Sequence, residues 1–166
     1  MDRLNAENGL EYQAVVDGLR NSAFLKMPRY QEQQTRAKVA GAHPKIIEFS
    51  KKLVKRGAVL GIPLFPHCIV RDYEDQAVAF VKGVTKDSPE DGLWPHRFAA
   101  VDIIHGTRAW DLTRQEWAII GHLGKEVAIS MSIKIEWGGD WKFYDPAHFE
   151  LKDWKSMDPF SFEVTK

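Results

Sequence analysis

The chain reads as an α+β domain in which a small, mainly antiparallel sheet packs against helices. Three observations predict it. Helical apolar periodicity dominates the first third; short apolar or alternating runs bounded by turn residues follow; and one strongly capped helix interrupts those runs, an order that suits segregated helices and strands. With 166 residues, 44% of them hydrophobic, the chain can bury one substantial core and is too short to make two ordinary domains the natural reading.

Each element has a local reason. Residues 8–25 carry Leu10, Val15, Leu19 and Phe24 in an irregular helical repeat. Residues 26–42, KMPRYQEQQTRAKVAGA, are polar and read as a linking stretch. In HPKIIEFSKKLVKRG, the residues Ile46, Ile47, Phe49, Leu53 and Val54 recur at helical spacing, with Pro44 suited to the first turn and Gly57 to the end. The lysines and Arg56 of that helix form a solvated face rather than a nucleic-acid patch. An apolar strand run then reaches Arg71, and a short helix over residues 73–81 stops at Gly83. VTKDSPEDGLWPH is loop by its Asp, Ser, Pro and Gly content. AAVDIIH is a strand, with Asp102 and Ile104 on one face and Val101, Ile103 and His105 on the other. Thr113 opens the clearest helix, because Glu116 stands where the two can satisfy each other's free backbone N–H. One side of it carries Trp117, Ile120, Leu123, Gly124, Val127 and Met131, and SIKIEW then alternates as a half-buried strand does.

Composition removes several function classes. Lysine plus arginine equals aspartate plus glutamate, at 23 each, so no global positive field exists to hold nucleic acid. The single cysteine, Cys68, excludes an internal disulfide, fits a reducing compartment and reads as a small buried apolar residue. The opening MDRLNAENGLEY is too polar for a signal peptide, and no run approaches the ~20 apolar residues of a membrane span.

The stretch WGGDWKFYDPAHFEL, residues 137–151, admits two readings. One is a tight turn made by the double glycine, with aromatics filling the core. The other is a metal site. His148 follows Asp145 by three positions, and a carboxylate so placed beside a ligand histidine can take a proton from a metal-bound water. His96 precedes Asp102 by six, across a loop-to-strand junction, so the two can converge. Two histidines and a carboxylate form the three-ligand set that leaves zinc one open position. The same residues also suit a loop histidine, a sheet-paired aspartate and a hydrogen-bonded core histidine, and spacing leaves both readings open. Of the other histidines, His43 and His122 read as surface residues. His105 is a substitute ligand that strand alternation points away from Asp102, and His67 with Cys68 is a soft alternative pair.

Taken together, Arg71 with Gln76, then GVTK, His96, Asp102 and WGGDWKFYDPAHFEL resemble the zinc-dependent peptidases of the D-alanyl-D-alanine carboxypeptidase and VanY type. Within them the resemblance is to the phage endolysin branch that cuts the L-alanyl-D-glutamate bond of peptidoglycan. It spans residues 61–151, and its most specific part is the Gly-Gly-Asp-Trp turn followed by Asp-x-x-His. Against the usual Ser-x-His-x-x-Gly-x-Ala-x-Asp, this chain has WPHRFAAVD: Trp94 replaces the serine, the glycine is missing, and His96 lies six rather than seven positions before Asp102.

The resemblance implies a Hedgehog/DD-peptidase-like zinc peptidase domain over residues 43–151, with a helical and linking segment at 1–42 and a tail at 152–166. It implies one zinc ion held by His96, Asp102 and His148, with Asp145 as general base and Arg71 as the cation facing the substrate or its developing oxyanion. Gln76, Trp141 and Tyr144 would shape the cleft, although both aromatics also suit the core. The implied partner is peptidoglycan, acted on by a monomer that neither binds nucleic acid nor inserts in a membrane. A lysin without an export signal waits in the host cytoplasm until a separate protein lets it reach the wall. The alternatives are a D-Ala-D-Ala carboxypeptidase or dipeptidase, and a non-catalytic zinc-binding module of a phage particle.

Overall fold

The structure is a computed structural model that describes residues 6–162, with side chains from residue 11 onward. The apolar position read at Leu10, the first five residues of the polar amino terminus and the last four of the tail therefore lie outside the described residues. Helix α1 (Ala6–Leu19) ends earlier than the sequence pattern suggests. Asn21 accepts the Phe24 N–H at 3.1 Å and closes a separate turn that carries Phe24 into the core.

The stretch read as linking contains helix α2 (Pro28–Gln34), with proline at its first position and Tyr30 and Gln33 buried. Its glutamines hold it in place. Gln33 donates to the Gly106 carbonyl at 2.9 Å and Gln34 to the Leu64 carbonyl at 3.1 Å, so polar side chains satisfy backbone acceptors of distant segments. Helix α3 (Pro44–Val59) begins on His43, whose Nδ1 accepts the Lys45 N–H at 3.0 Å. It runs through Gly57 rather than stopping there. A Cβ at that position would stand 2.9 Å from Leu64 Cδ1, so the glycine permits close packing of α3 on the sheet, and the chain turns later at Gly61 with φ 79°.

Strands β1 (Leu64–Cys68), β2 (Ala100–His105), β3 (Ile135–Trp137) and β4 (His148–Leu151) form one antiparallel sheet in the order β1-β2-β4-β3. Helix α4 (Tyr73–Val81) follows β1, and Gly83 at φ 71° follows it as the sequence indicates. Helix α5 (Arg114–Ser130) starts on the expected capping box, with Thr113 Oγ1 accepting from Glu116 N at 3.2 Å and Glu116 accepting from Thr113 N at 2.8 Å. Trp117, Ile120, Leu123 and Val127 are buried, whereas Met131 caps the helix half-buried.

Helices α3 and α5 cover one face of the sheet, on which Val101, Ile103 and Phe149 are buried and Phe49 meets Phe149 at 5.4 Å between ring centroids. His105 shares that side. Its Nε2 donates to the Leu19 carbonyl at 2.8 Å while its Nδ1 accepts the Arg108 N–H, which fixes a neutral structural histidine that burial pushes further below the ordinary range. The result is a single α+β domain whose opposite sheet face carries Asp102, His148 and Glu150 beneath loops. Among the described residues no helix is long and apolar enough to cross a membrane.

Candidate metal centre and its cleft

Backbone register assembles the centre. Cys68 on β1 pairs with Asp102 on β2, and Asp102 pairs with His148 on β4, so three functional side chains lie in one row across the sheet. A register shift between Pro66 and Cys68 makes His67 the extra residue of a bulge. His67 is exposed and stands edge-on to Trp110 at 4.6 Å, and the three-donor group formed by Cys68 does not include it. His96 arrives from a single turn at Pro95–Arg97, anchored where its carbonyl accepts the Arg71 N–H at 2.7 Å.

Two imidazoles converge on one carboxylate oxygen. Asp102 Oδ1 lies 3.1 Å from His96 Nε2 and 3.2 Å from His148 Nδ1. The far nitrogens are committed elsewhere: His96 Nδ1 donates to the Ile69 carbonyl at 3.0 Å and His148 Nε2 to Glu150 Oε2 at 2.8 Å. Because those acceptors hold the ring protons, the nitrogens that can offer a lone pair are the two that face Asp102. Donors about 2.0–2.1 Å from a tetrahedral ion stand roughly 3.3 Å apart, which is the size of each imidazole's spacing to Asp102 Oδ1. The carbonyl and carboxylate behind the rings are the acceptors that metal-ligating histidines use.

Among the described residues, the group whose donor atoms all lie within 4.8 Å of one another, close enough to bind a metal ion, is Cys68, His96 and Asp102; His148 is not part of it. The thiol is therefore part of the cluster rather than the buried apolar filler expected of it. Its Sγ approaches His96 at Nδ1, 3.6 Å away, which is the nitrogen already given to Ile69. His148 reaches the cluster through Asp102, its Nδ1 lying 3.2 Å from Oδ1.

Charge follows the geometry. Burial alone would lower the His96 pKa, but the Asp102 charge and hydrogen bond, with Cys68, raise it to about 10. His148 is likewise raised, against burial, by its bonds to Asp102 and Glu150. Burial opposes ionisation of Asp102, yet the two imidazoles hold its carboxyl well below the usual range.

Asp145 is placed by glycine. A Cβ on Gly138 would collide with the Asp145 backbone, whose N–H donates to the Gly138 carbonyl at 3.0 Å, and a Cβ on Gly139 would collide with the Trp137 indole. The double glycine thus serves close approach within the turn. Burial, and then the Asp102 charge, raise the Asp145 pKa, with His148, His96 and Arg71 opposing. Arg71 lies 3.5 Å from Asp102 Oδ2 and is steadied by buried Gln76, whose Oε1 accepts from it at 3.3 Å and whose Nε2 donates to the Asp87 carbonyl at 2.8 Å.

Two cavities meet at these residues, one of about 230 Å³ walled by Trp141, Phe143 and Trp154, the other of about 770 Å³ walled by Trp110 and Tyr144. Arg71 and Asp145 line both. Trp141 stands 5.2 Å from the His148 ring, and the Tyr144 ring carries Arg114 at 4.0 Å. His122 is exposed and His43 half-buried as an N-cap, so neither joins the centre. Sequence reading offered Cys68 only as a soft partner of His67 and passed over Glu150, for which the signal is strand alternation, which puts residues two apart on one face.

No protein-family model and no curated protein matches the chain. Among solved structures, the crystal structure of the Serratia marcescens L-Ala D-Glu endopeptidase ChiX superposes with a TM-score of 0.57, over 92% of this chain and 98% of that one, at 19% identity. A likeness at that identity establishes a shared fold and leaves chemistry to the site itself.

Proposed function

We propose that the chain is a zinc-dependent peptidase that hydrolyses stem peptides of peptidoglycan, cutting the L-Ala–D-Glu bond, in the manner of a phage endolysin. The observation that carries this reading is the convergence of His96 Nε2 and His148 Nδ1 on Asp102 Oδ1, with both far ring nitrogens tied to acceptors, at the floor of a cleft that also holds Asp145 and Arg71. The fold shared with an L-Ala D-Glu endopeptidase supports the choice of bond.

His96, Asp102 and His148 would hold one zinc ion. Bound there, zinc supplies a Lewis acid that polarises a carbonyl oxygen and acidifies water. The protein's own groups do the rest. Asp145, half-buried and thus drawn toward a higher pKa, takes the proton of the attacking water and returns it to the leaving amine. Arg71, fixed by Gln76, offers its guanidinium to the negative oxygen that develops on the scissile carbonyl. Trp141 and Phe143 wall the cavity and limit water around the reacting bond.

The test is mass spectrometry of fragments released from purified Gram-negative sacculi by zinc-loaded protein and by the same protein after chelation. Zinc-dependent fragments that begin with D-Glu support the proposal. Loss of terminal D-Ala alone would make the protein a carboxypeptidase. No cleavage by a protein that retains one zinc would overturn the peptidase reading in favour of a binding module.

A further inference from the structure

We infer that Glu150 is the positioning residue for His148, and that Trp154 makes the segment after the last strand a working part of the metal centre. This rests on the zinc reading. Both Glu150 oxygens are spent: Oε2 accepts from His148 Nε2 at 2.8 Å and Oε1 from Trp154 Nε1 at 3.0 Å. All three side chains are buried, at 6%, 4% and 5% exposure, so water cannot stand in for either bond. With both oxygens held, the carboxylate plane is fixed, and through it the ring of His148.

Trp154 also packs on the segment that carries the other histidine. Its ring meets Phe98 at 6.5 Å, and Phe98, two residues past His96, stacks on Phe162 at 5.6 Å. Residues 152–162 therefore pack against both histidine-bearing segments rather than trailing from the domain. An orienting carboxylate of this kind fixes which ring nitrogen carries the proton and strengthens the other as a donor, and its loss costs about 10–100-fold in metal affinity. Glu150→Gln breaks that arrangement, because an amide cannot accept from both Nε2–H and Nε1–H with its two ends. Trp154→Phe keeps one aromatic ring against Phe98 and deletes the N–H donor together with the pyrrole ring of the indole.

The experiment uses the full chain and two readouts besides activity: zinc dissociation constants from competition with a chromophoric chelator, and the NMR signal of the His148 Nε2–H in metal-free protein. Glu150→Gln is expected to raise the zinc Kd about 10–100-fold and to expose the Nε2–H to solvent exchange. Trp154→Phe is expected to move both readouts the same way by less, and it carries the test alone if Glu150→Gln fails to fold. Folded variants with the wild-type Kd and a protected Nε2–H would overturn the inference. If the wild-type protein binds no zinc, the zinc reading falls, and the Nε2–H signal decides the role of Glu150 by itself.

Discussion

Gly121→Ala tests whether α5 supports the turn that carries Asp145 through a single ring. A Cβ at residue 121 would stand 2.6 Å from Cε2, Cζ2 and Cη2 of Trp137, whereas carbon contacts settle near ~3.5–4.0 Å, so ring or helix must yield by about 1 Å. The ring has little room. Gly139 packs against the same indole, and Trp137 Nε1 donates to the Pro146 carbonyl at 2.7 Å, next to Asp145. Alanine gains up to ~1 kcal/mol of helix propensity, but overpacking costs about 1–3 kcal/mol and loss of the indole bond adds about 1. The net is a destabilisation of roughly 1–3 kcal/mol, or about 2–12 °C in Tm for a chain of this size. Calorimetry reads the stability, zinc content reads the ligands, and turnover on muropeptides reads Asp145. We expect zinc retained, Tm lowered and turnover reduced, with His122→Ala on the exposed face of α5 changing stability by less than about 0.5 kcal/mol. A variant as stable and as active as the wild type would refute the coupling, since helix propensity would then outweigh a ring contact that yields freely.

Asp145→Asn should lower kcat by about 10²–10⁴-fold while zinc content stays at one ion per chain, and loss of zinc instead would make Asp145 a ligand. Arg71→Met should lower kcat by about 10²–10³-fold with little change in KM; a change confined to KM would limit Arg71 to ground-state binding. Glu116 accepts two hydrogen bonds from Arg108, at 2.7 and 2.8 Å, and these with the capping N–H hold its pKa below the ordinary glutamate range. A depressed folded-state pKa gives stability that is present above the unfolded pKa of about 4.3 and lost as pH falls through the folded value. Glu116→Gln should therefore melt below the wild type near neutrality, with the gap closing under about pH 4; a gap independent of pH would contradict this.

Local signals in the sequence account for the elements that were legible. The Thr113 and Glu116 box, the alternation in AAVDIIH, and the Tyr73 to Gly83 helix and stop each depend on residues within one or two turns of each other. Helix α2 was hidden because Gln33 and Gln34 bond carbonyls 73 and 30 residues away, and Gly57 misled because its smallness serves Leu64 across the core rather than a helix end. The same division holds at the centre. Asp145 and His148 lie close in sequence and are read together, whereas Cys68 joins the cluster through a bulge in β1 that no local residue pattern announces.

His96 and Asp102 stand six positions apart in the sequence, and His96 Nε2 lies 3.1 Å from Asp102 Oδ1. The span between them is not what holds the turn. Arg71 N–H donates to the His96 carbonyl at 2.7 Å, and Trp94 donates its indole N–H to the Arg71 carbonyl at 3.0 Å. The strand exit at Arg71 and the turn at 94–96 thus grip each other, and the Ile69 carbonyl orients the ring from the same exit. Asp102 and His148 are fixed independently by sheet register. The centre is built from two rigid parts, a sheet row and a clamped turn, and the buried indole of Trp94 takes over an anchoring bond on the turn side. Loop length can therefore vary at this point while the donors keep their geometry, provided the Arg71 grip remains.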